Sequence, residues 1–317
     1  MGTWLNILID SIAYGATFMY GSTGEIITEK SGHLNLGIPG IMCMGGAGGC
    51  LLLNLIGKSG MPGILIVLLG IIASFVAAAL MGLIYSFLTI TLRCNQNVTG
   101  LALTTFGTGL MMTLMAKTKQ TQYLNTPKKF FRFPFAERTD SLQKIGVMFF
   151  LIIIIVIVAW FILNKTKIGL NLKAVGENPA TADAAGINVI KYKYIATTVG
   201  AGISGLGGLY YILDYSASGE AYKSLEAYGW LSIALVIFAL WRPQRTIAGS
   251  ILFGVLFSFS SYITLIPFIE TTLKTKPILQ MLPYVATIII LVVTSIRNKK
   301  ENQPPSSLGL SYFREDR

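Results

Sequence analysis

Residues 149–173 read FFLIIIIVIVAWFILNKTKIGLNLK. No side chain from Phe149 to Leu163 is charged, and Lys165, Lys167 and Lys173 follow at once. An apolar run over 144–163 matches the roughly 20 residues a helix needs to cross a hydrocarbon core of about 30 Å. The lysines behind it have the composition of a cytoplasmic flank. Similar runs recur near 3–22, 34–56, 62–92, 98–116, 189–213, 227–241, 246–265 and 278–296, which predicts eight to ten spans. The runs are continuous and lack the alternation of a lipid-facing strand, so helices rather than a barrel are predicted. With 53% hydrophobic and 12% charged residues among 317, the chain reads as an all-α polytopic membrane protein. Its first apolar segment has no basic n-region or small-residue cleavage site and carries Asp10, so it is expected to stay as the first helix.

The net charge of +11 is spread over short segments between spans instead of forming one patch, and no nucleic-acid partner is expected. Basic clusters at 165–173 and 191–193, at Arg242 and Arg245, and at Arg297, Lys299 and Lys300 are separated by paired spans. They therefore share one side, which the positive-inside rule makes cytoplasmic, with the C-terminus inside. The loop 117–144 disagrees: it holds Lys117, Lys119, Lys128, Lys129, Arg132, Arg138 and Lys144, yet the same count puts it outside. Either the rule is overridden there or one span is re-entrant. Residues 1–297 form a single transmembrane domain in this reading, and 298–317, polar with paired prolines, a flexible tail.

Cys43, Cys50 and Cys94 are scattered and read as small buried thiols. With His33 as the sole histidine, no metal site and no Ser/His/acid set is expected, so the chain is not expected to be an enzyme. The GKS of "LIGKSG" (55–60) lacks the glycine a phosphate loop needs, that position being Leu52. The chain is expected to bind no cofactor of its own.

"GENPATADAAGIN" (176–188) is the most informative polar stretch. Asn178 suits an N-cap, Pro179 a first helical position and Gly186 a stop, which predicts a helix of about two turns between flanking lysines. Such a helix cannot span and must pack on something. It is either a surface helix at the headgroups or a docking helix for a cytoplasmic partner. The following span places Gly200, Ser204 and Gly208 four apart, as Gly45 and Gly49 are, a spacing that lets helices approach closely.

"SGHLNLGIPG" (31–40) and "RCNQNVTGLALTTFGTG" (93–109) resemble the ends of broken membrane helices. Asn35, Asn95, Gln96, Asn97, Thr99, Thr104, Thr105 and Thr108 offer neutral amides and hydroxyls there. Such groups suit a neutral, hydroxyl-rich solute, although capping or interfacial roles fit the same residues. The ionisable exceptions within spans are Asp10 and Glu25, both expected near a membrane surface.

"GEIITEKSGHLNLGIPGIMCMGG" (24–46), "NQNVTGLALTTFGTGL" (95–110), "AVGENPATADAAGINV" (174–189) and "YGWLSIALVIFALWRP" (228–243) together resemble membrane permease subunits of bacterial ABC importers of the ribose and branched-chain amino acid type. The similarity is closest to the nucleoside branch and runs from about residue 10 to 265. It implies half of a translocation pathway, a second homologous permease, an ABC ATPase subunit that carries the ATP, an extracytoplasmic binding lipoprotein, and a multi-pass place in the bacterial inner membrane among its lipids. It implies that 177–186 is the coupling helix, with Glu177, Asn178, Pro179, Asp183 and Gly186 at the ATPase contact. Pro39 departs from the branch, which has an acidic residue there, so a role of that carboxylate is missing or shifted. Nucleosides are the implied cargo. A simple sugar such as ribose or galactose is the alternative, and an ion-coupled secondary transporter, lacking a carboxylate or histidine relay, is the more distant one.

Overall fold

The computed structural model describes residues 3–57, 59–118, 145–216, 218, 220–262, 278, 281–297 and 303–313. Their elements are α1 (Thr3–Glu29), α2 (Ile38–Ile56), α3 (Gly63–Ser86), α4 (Gln96–Ala116), α5 (Val147–Lys165), α6 (Lys167–Glu177), α7 (Pro179–Ala184), α8 (Val189–Tyr210), α9 (Leu225–Phe238), α10 (Pro243–Tyr262) and α11 (Leu282–Arg297). Single π-helical turns, Phe87–Thr91 and Tyr211–Ser216, extend α3 and α8. Five helices, α2, α3, α4, α5 and α8, are long and apolar enough to cross a bilayer by length and composition. α1, α9, α10 and α11 pack beside them, and by length and composition the described residues show five of the expected eight to ten spans. The protein is an all-α polytopic membrane protein.

α8 is the hub, packing against α1, α2 and α3. Its small residues make that possible. A Cβ at Gly24 of α1 would meet the Gly200 carbonyl and the Ser204 hydroxyl, and one at Gly208 would fall on the Met42 carbonyl. Backbones this close exchange side-chain bonds too: Ser204 Oγ donates to Gly21 O at 3.2 Å. Since lipid tails are as apolar as leucine, close backbone contact rather than hydrophobicity holds such helices together. The glycine spacing is a packing seam, as the sequence predicts.

Long-range bonds set the sidedness. Gly309 N donates to Gly32 O and Ser307 N to Gly176 O, Gln96 Nε2 donates to Leu310 O, and Trp241 Nε1 donates to Glu29. The ends of α1, α3 and α5, the starts of α4 and α8, the α9–α10 turn, α6, α7 and residues 303–313 therefore share one face. That face carries Lys30, Arg93, Lys165, Lys167, Lys173, Lys191, Arg242 and Arg245 and is cytoplasmic by the positive-inside rule. α1 consequently begins on the outside. The discordant basic loop falls between α4 and α5 in sequence, and its residues 119–144 lie outside the described residues.

Three findings depart from the sequence reading. α6 is an additional eleven-residue cytoplasmic helix, with Gly169, Leu172, Val175 and Gly176 buried. Cys94 is exposed, whereas Cys43 and Cys50 are buried in α2. Residues 303–313, whose composition points to a flexible tail, lie docked: Ser307 Oγ donates to Gly176 O at 2.5 Å and Tyr312 Oη to Asp183 Oδ2 at 3.0 Å. Gly32 permits the approach, since a Cβ there would fall on the Ser307 hydroxyl.

Candidate functional site

The α6–α7 element is capped from its own sequence. Thr166 Oγ1 accepts from Gly169 N and starts α6. Asn178 ends α6 and starts α7, its Oδ1 accepting from Thr181 N at 3.0 Å, with Pro179 at the first helical position. Gly186 stops α7 at φ +82°, a conformation that costs glycine nothing. Asn188 then caps α8, accepting from Lys191 N at 2.9 Å. Six residues make a shorter helix than expected, held by Ala182 buried with Val175 and Val189. Glu177, Asn178, Thr181, Ala184, Ala185 and Gly186 stay exposed, which leaves a small-residue ridge facing outward. The docked segment holds both carboxylates of the element, since Ser306 Oγ donates to Glu177 Oε2 at 2.8 Å and Tyr312 to Asp183.

Beside this ridge lies a groove of about 420 Å³ lined by Lys30, Asn164, Lys173, Glu177, Trp241 and Arg242 among others. Its cations crowd one another. Burial and then the Lys173 ammonium lower Lys30, and burial and then Arg242 lower Lys173. The groove favours an acidic visitor.

The broken segment 30–37 is buried, with Ser31 and Asn35 fully enclosed and His33 at 2% exposure. Irregular backbone at this depth survives only when other protein groups satisfy it. Leu34 N donates to Gln96 Oε1 at 2.8 Å, Tyr85 Oη donates to Leu34 O at 2.5 Å, and Thr104 Oγ1 donates to Leu36 O at 2.9 Å. Asn35 N donates to Glu25 Oε1, and Asn35 Oδ1 accepts from Gly37 N. Pro39 stands in the first turn of α2, close enough that a Cβ on Gly229 of α9 would touch it.

Of the eight residues singled out for a solute pathway, Asn35, Gln96 and Thr104 are thus committed to this segment. Asn95 caps α4 through Val98 N. Thr99, Thr105 and Thr108 bond to carbonyls of their own helix, and Asn97 is exposed. Asn35 Nδ2 is buried without a hydrogen-bond partner. None of the eight lines the groove above.

Other buried ionisable and aromatic groups, only some of them named from the sequence, lie elsewhere. Asp10 and Glu25 sit within two turns of the ends of α1, near the expected depth, but both are enclosed by protein. Glu29, Lys193 and Asp214 are enclosed as well, at 3%, 2% and 0% exposure. At the outer half, Tyr14 and Phe18 of α1, Tyr211 and Tyr215 of the π turn, Tyr228 of α9 and Phe257 of α10 interlock. Their ring centroids lie 4.6–6.3 Å apart, and the Tyr211 and Tyr228 hydroxyls are 3.1 Å apart. Apart from the pairs Tyr14/Phe18 and Tyr211/Tyr215, each four apart on one helical face, the positions are 13 or more residues apart in sequence, and no local motif announces them.

Known proteins resemble this chain over nearly its full length. TsgC13 of Haloferax volcanii, provisionally named a glucose ABC transporter permease protein, is 31% identical over 97% of this chain and 98% of its own. The nucleoside ABC transporter permease protein NupC of Lactococcus lactis is 30% identical over 90% of this chain and 91% of its own. The guanosine ABC transporter permease protein NupQ of Bacillus subtilis is 30% identical over 98% and 97%. Residues 7–294 match the family described as branched-chain amino acid transport system / permease component. A hub of close-packed small-residue helices with a capped cytoplasmic element thus stands in a chain that belongs to this family of ABC transporter permeases.

Proposed function

We propose that this chain forms half of the translocation pathway of an ATP-driven importer for nucleosides in the bacterial inner membrane. A second homologous permease supplies the other half, a separate ABC ATPase supplies the ATP hydrolysis, and an extracytoplasmic binding lipoprotein delivers the cargo. The single observation that carries the reading is the α6–α7 element. It is exposed on the cytoplasmic face, capped at both ends, and continuous through Asn188 with the hub helix α8. Glu177, Asn178, Pro179, Asp183 and Gly186 are its proposed ATPase contact. A push on α7 is transmitted to α8, and through the α8 seam to α1, α2 and α3. To swing a two-state pathway from 1:99 to 99:1 the partners must supply about 5.5 kcal/mol of differential binding. The chain itself makes no covalent bond, and no cofactor is assigned to it.

Nucleosides are favoured because two relatives carry nucleoside and guanosine in their names. A simple sugar is the second reading, favoured by the name of TsgC13. Of the eight polar residues, Asn97, Thr99, Thr105 and Thr108 remain candidates for a polar lining, since Asn35, Gln96 and Thr104 serve the 30–37 segment and Asn95 caps α4. The decisive experiment is uptake of labelled nucleosides, ribose and glucose into cells carrying the transporter set with or without this chain. Saturable nucleoside uptake that needs both this chain and an active ATPase is expected. Sugar uptake alone changes the cargo, and uptake without any ATPase overturns the reading.

A further inference from the structure

On the cytoplasmic face a second cavity, of about 350 Å³, lies between the 30–37 segment, the end of α3 and the start of α8. Its lining includes His33, Thr89, Arg93, Asn188, Lys193 and Tyr312. Lys193 is 2% exposed, and its ammonium has no hydrogen-bond partner among the described residues. His33 is equally enclosed, and neither ring nitrogen is bonded within the described residues. A buried ammonium without a counter-charge is costly, which makes an anion its natural partner. The opening of the 22-residue α8 faces the same space: Asn188, Val189 and Ile190 line it, and the Asn188 side chain serves Lys191 N. A helix start favours negative charge through its free N–H groups and its dipole. Arg93 adds a second cation, stacked 4.6 Å from the Phe313 ring. The acidic group on this lining, Asp183, already accepts from Tyr312.

We propose that this cavity binds the phosphate group of an organic phosphate ester, with Lys193, Arg93 and the α8 N-terminus as its recognition groups. Ile90, Ile187, Val189 and Ile190 contribute an apolar wall, which a bare inorganic anion would leave unused. The ester comes either from a soluble cytoplasmic phosphate or from an anionic lipid headgroup, because Ile190 is exposed at the level where α8 enters the membrane. A bound phosphate joins the coupling element to the ends of α1 and α3. The site does not depend on which solute the pathway carries.

The test is thermal unfolding of the full chain in phosphatidylcholine nanodiscs. One arm titrates glycerol 3-phosphate against sodium chloride at matched ionic strength; a second replaces part of the phosphatidylcholine with phosphatidylglycerol. Saturable stabilisation in either arm is expected, weakened about tenfold or more in Lys193→Met and retained in Lys193→Arg. Arg93→Gln serves as an independent probe if Lys193→Met does not assemble. A response to glycerol 3-phosphate identifies a soluble ligand, and a response to phosphatidylglycerol alone identifies the lipid. No stabilisation beyond the salt control in both arms, or a response unchanged in Lys193→Met and Arg93→Gln, overturns the proposal.

Discussion

α5 and α8 are of similar length, and each is apolar enough to cross the bilayer, yet they are built on opposite plans. α5, the more apolar, is one-third buried, with Phe150, Ile154, Ile157, Val158 and Phe161 turned outward. The corresponding stretch of α8 is 83% buried although it is the least apolar of the five. In water the greasier helix goes inside. In lipid the bulky aliphatic helix has nothing to gain from burial, while a helix of glycine, alanine and serine gains close contacts that lipid cannot match. Hydropathy finds the spans here, and small residues find the centre.

The comparison breaks first at the seam. Gly208→Leu drives a side chain into the Met42 backbone, and we expect a loss at the upper end of overpacking costs, about 3 kcal/mol, seen as failure to recover a monodisperse protein. A well-behaved Gly208→Leu protein would mean the α8 seam is slack. Next comes the link between the two helices: Gly186→Trp is expected to abolish uptake while membrane insertion stays normal, because Gly186 holds φ +82° on the exposed ridge. Undiminished uptake in that variant would remove the coupling role from α7.

Asn35→Leu takes away the acceptor for Gly37 N inside the buried break, a loss of about 1–3 kcal/mol to be read as a lowered melting temperature. Asn97→Leu, at an exposed position, should leave that temperature unchanged; equal effects would contradict the assignment of the two residues to different environments. His33 sharpens the inner end of α8. Burial, with the Lys193 charge beside it, pushes the imidazole down to about 3 from 6.5. The unfolded chain therefore binds the proton more readily, so the contribution of His33 to stability is complete above pH 6.5 and is lost as pH falls toward 3. His33→Asn should flatten melting curves across that window. At the far end of the scale, Ile157→Val on the lipid face of α5 should change stability by less than about 0.5 kcal/mol.

The spans, the cytoplasmic face and the α7 caps were legible because each is a local or additive property: apolar length, lysine position, an Asn-Pro start and a glycine stop. Lys193 was not legible in the same way. Beside Lys191 it reads as a solvated flanking charge, and only the closure of residues 30–37 and the end of α3 over it takes it out of water. α6 was missed because Lys165, Lys167 and Lys173 make 165–173 read as a charged flank, although Ile168, Leu170, Leu172 and Val175 lie among and after them. Gln96 and Thr104 read as a solute lining, yet their partners are main-chain groups of a segment some 62 and 68 residues away. The tyrosine cluster is a product of four elements meeting, which no window of sequence contains.

The docked segment 303–313 also bears on how the protein is made. It is translated after α11, so the other described parts of the coupling face are made before Ser306 and Tyr312 can reach Glu177 and Asp183. A chain cut short after α11 would keep every helix from α1 to α11 and still lack the Ser306 and Tyr312 hydroxyls that donate to Glu177 and Asp183. The surface that a cytoplasmic partner meets is thereby assembled from segments made at different times.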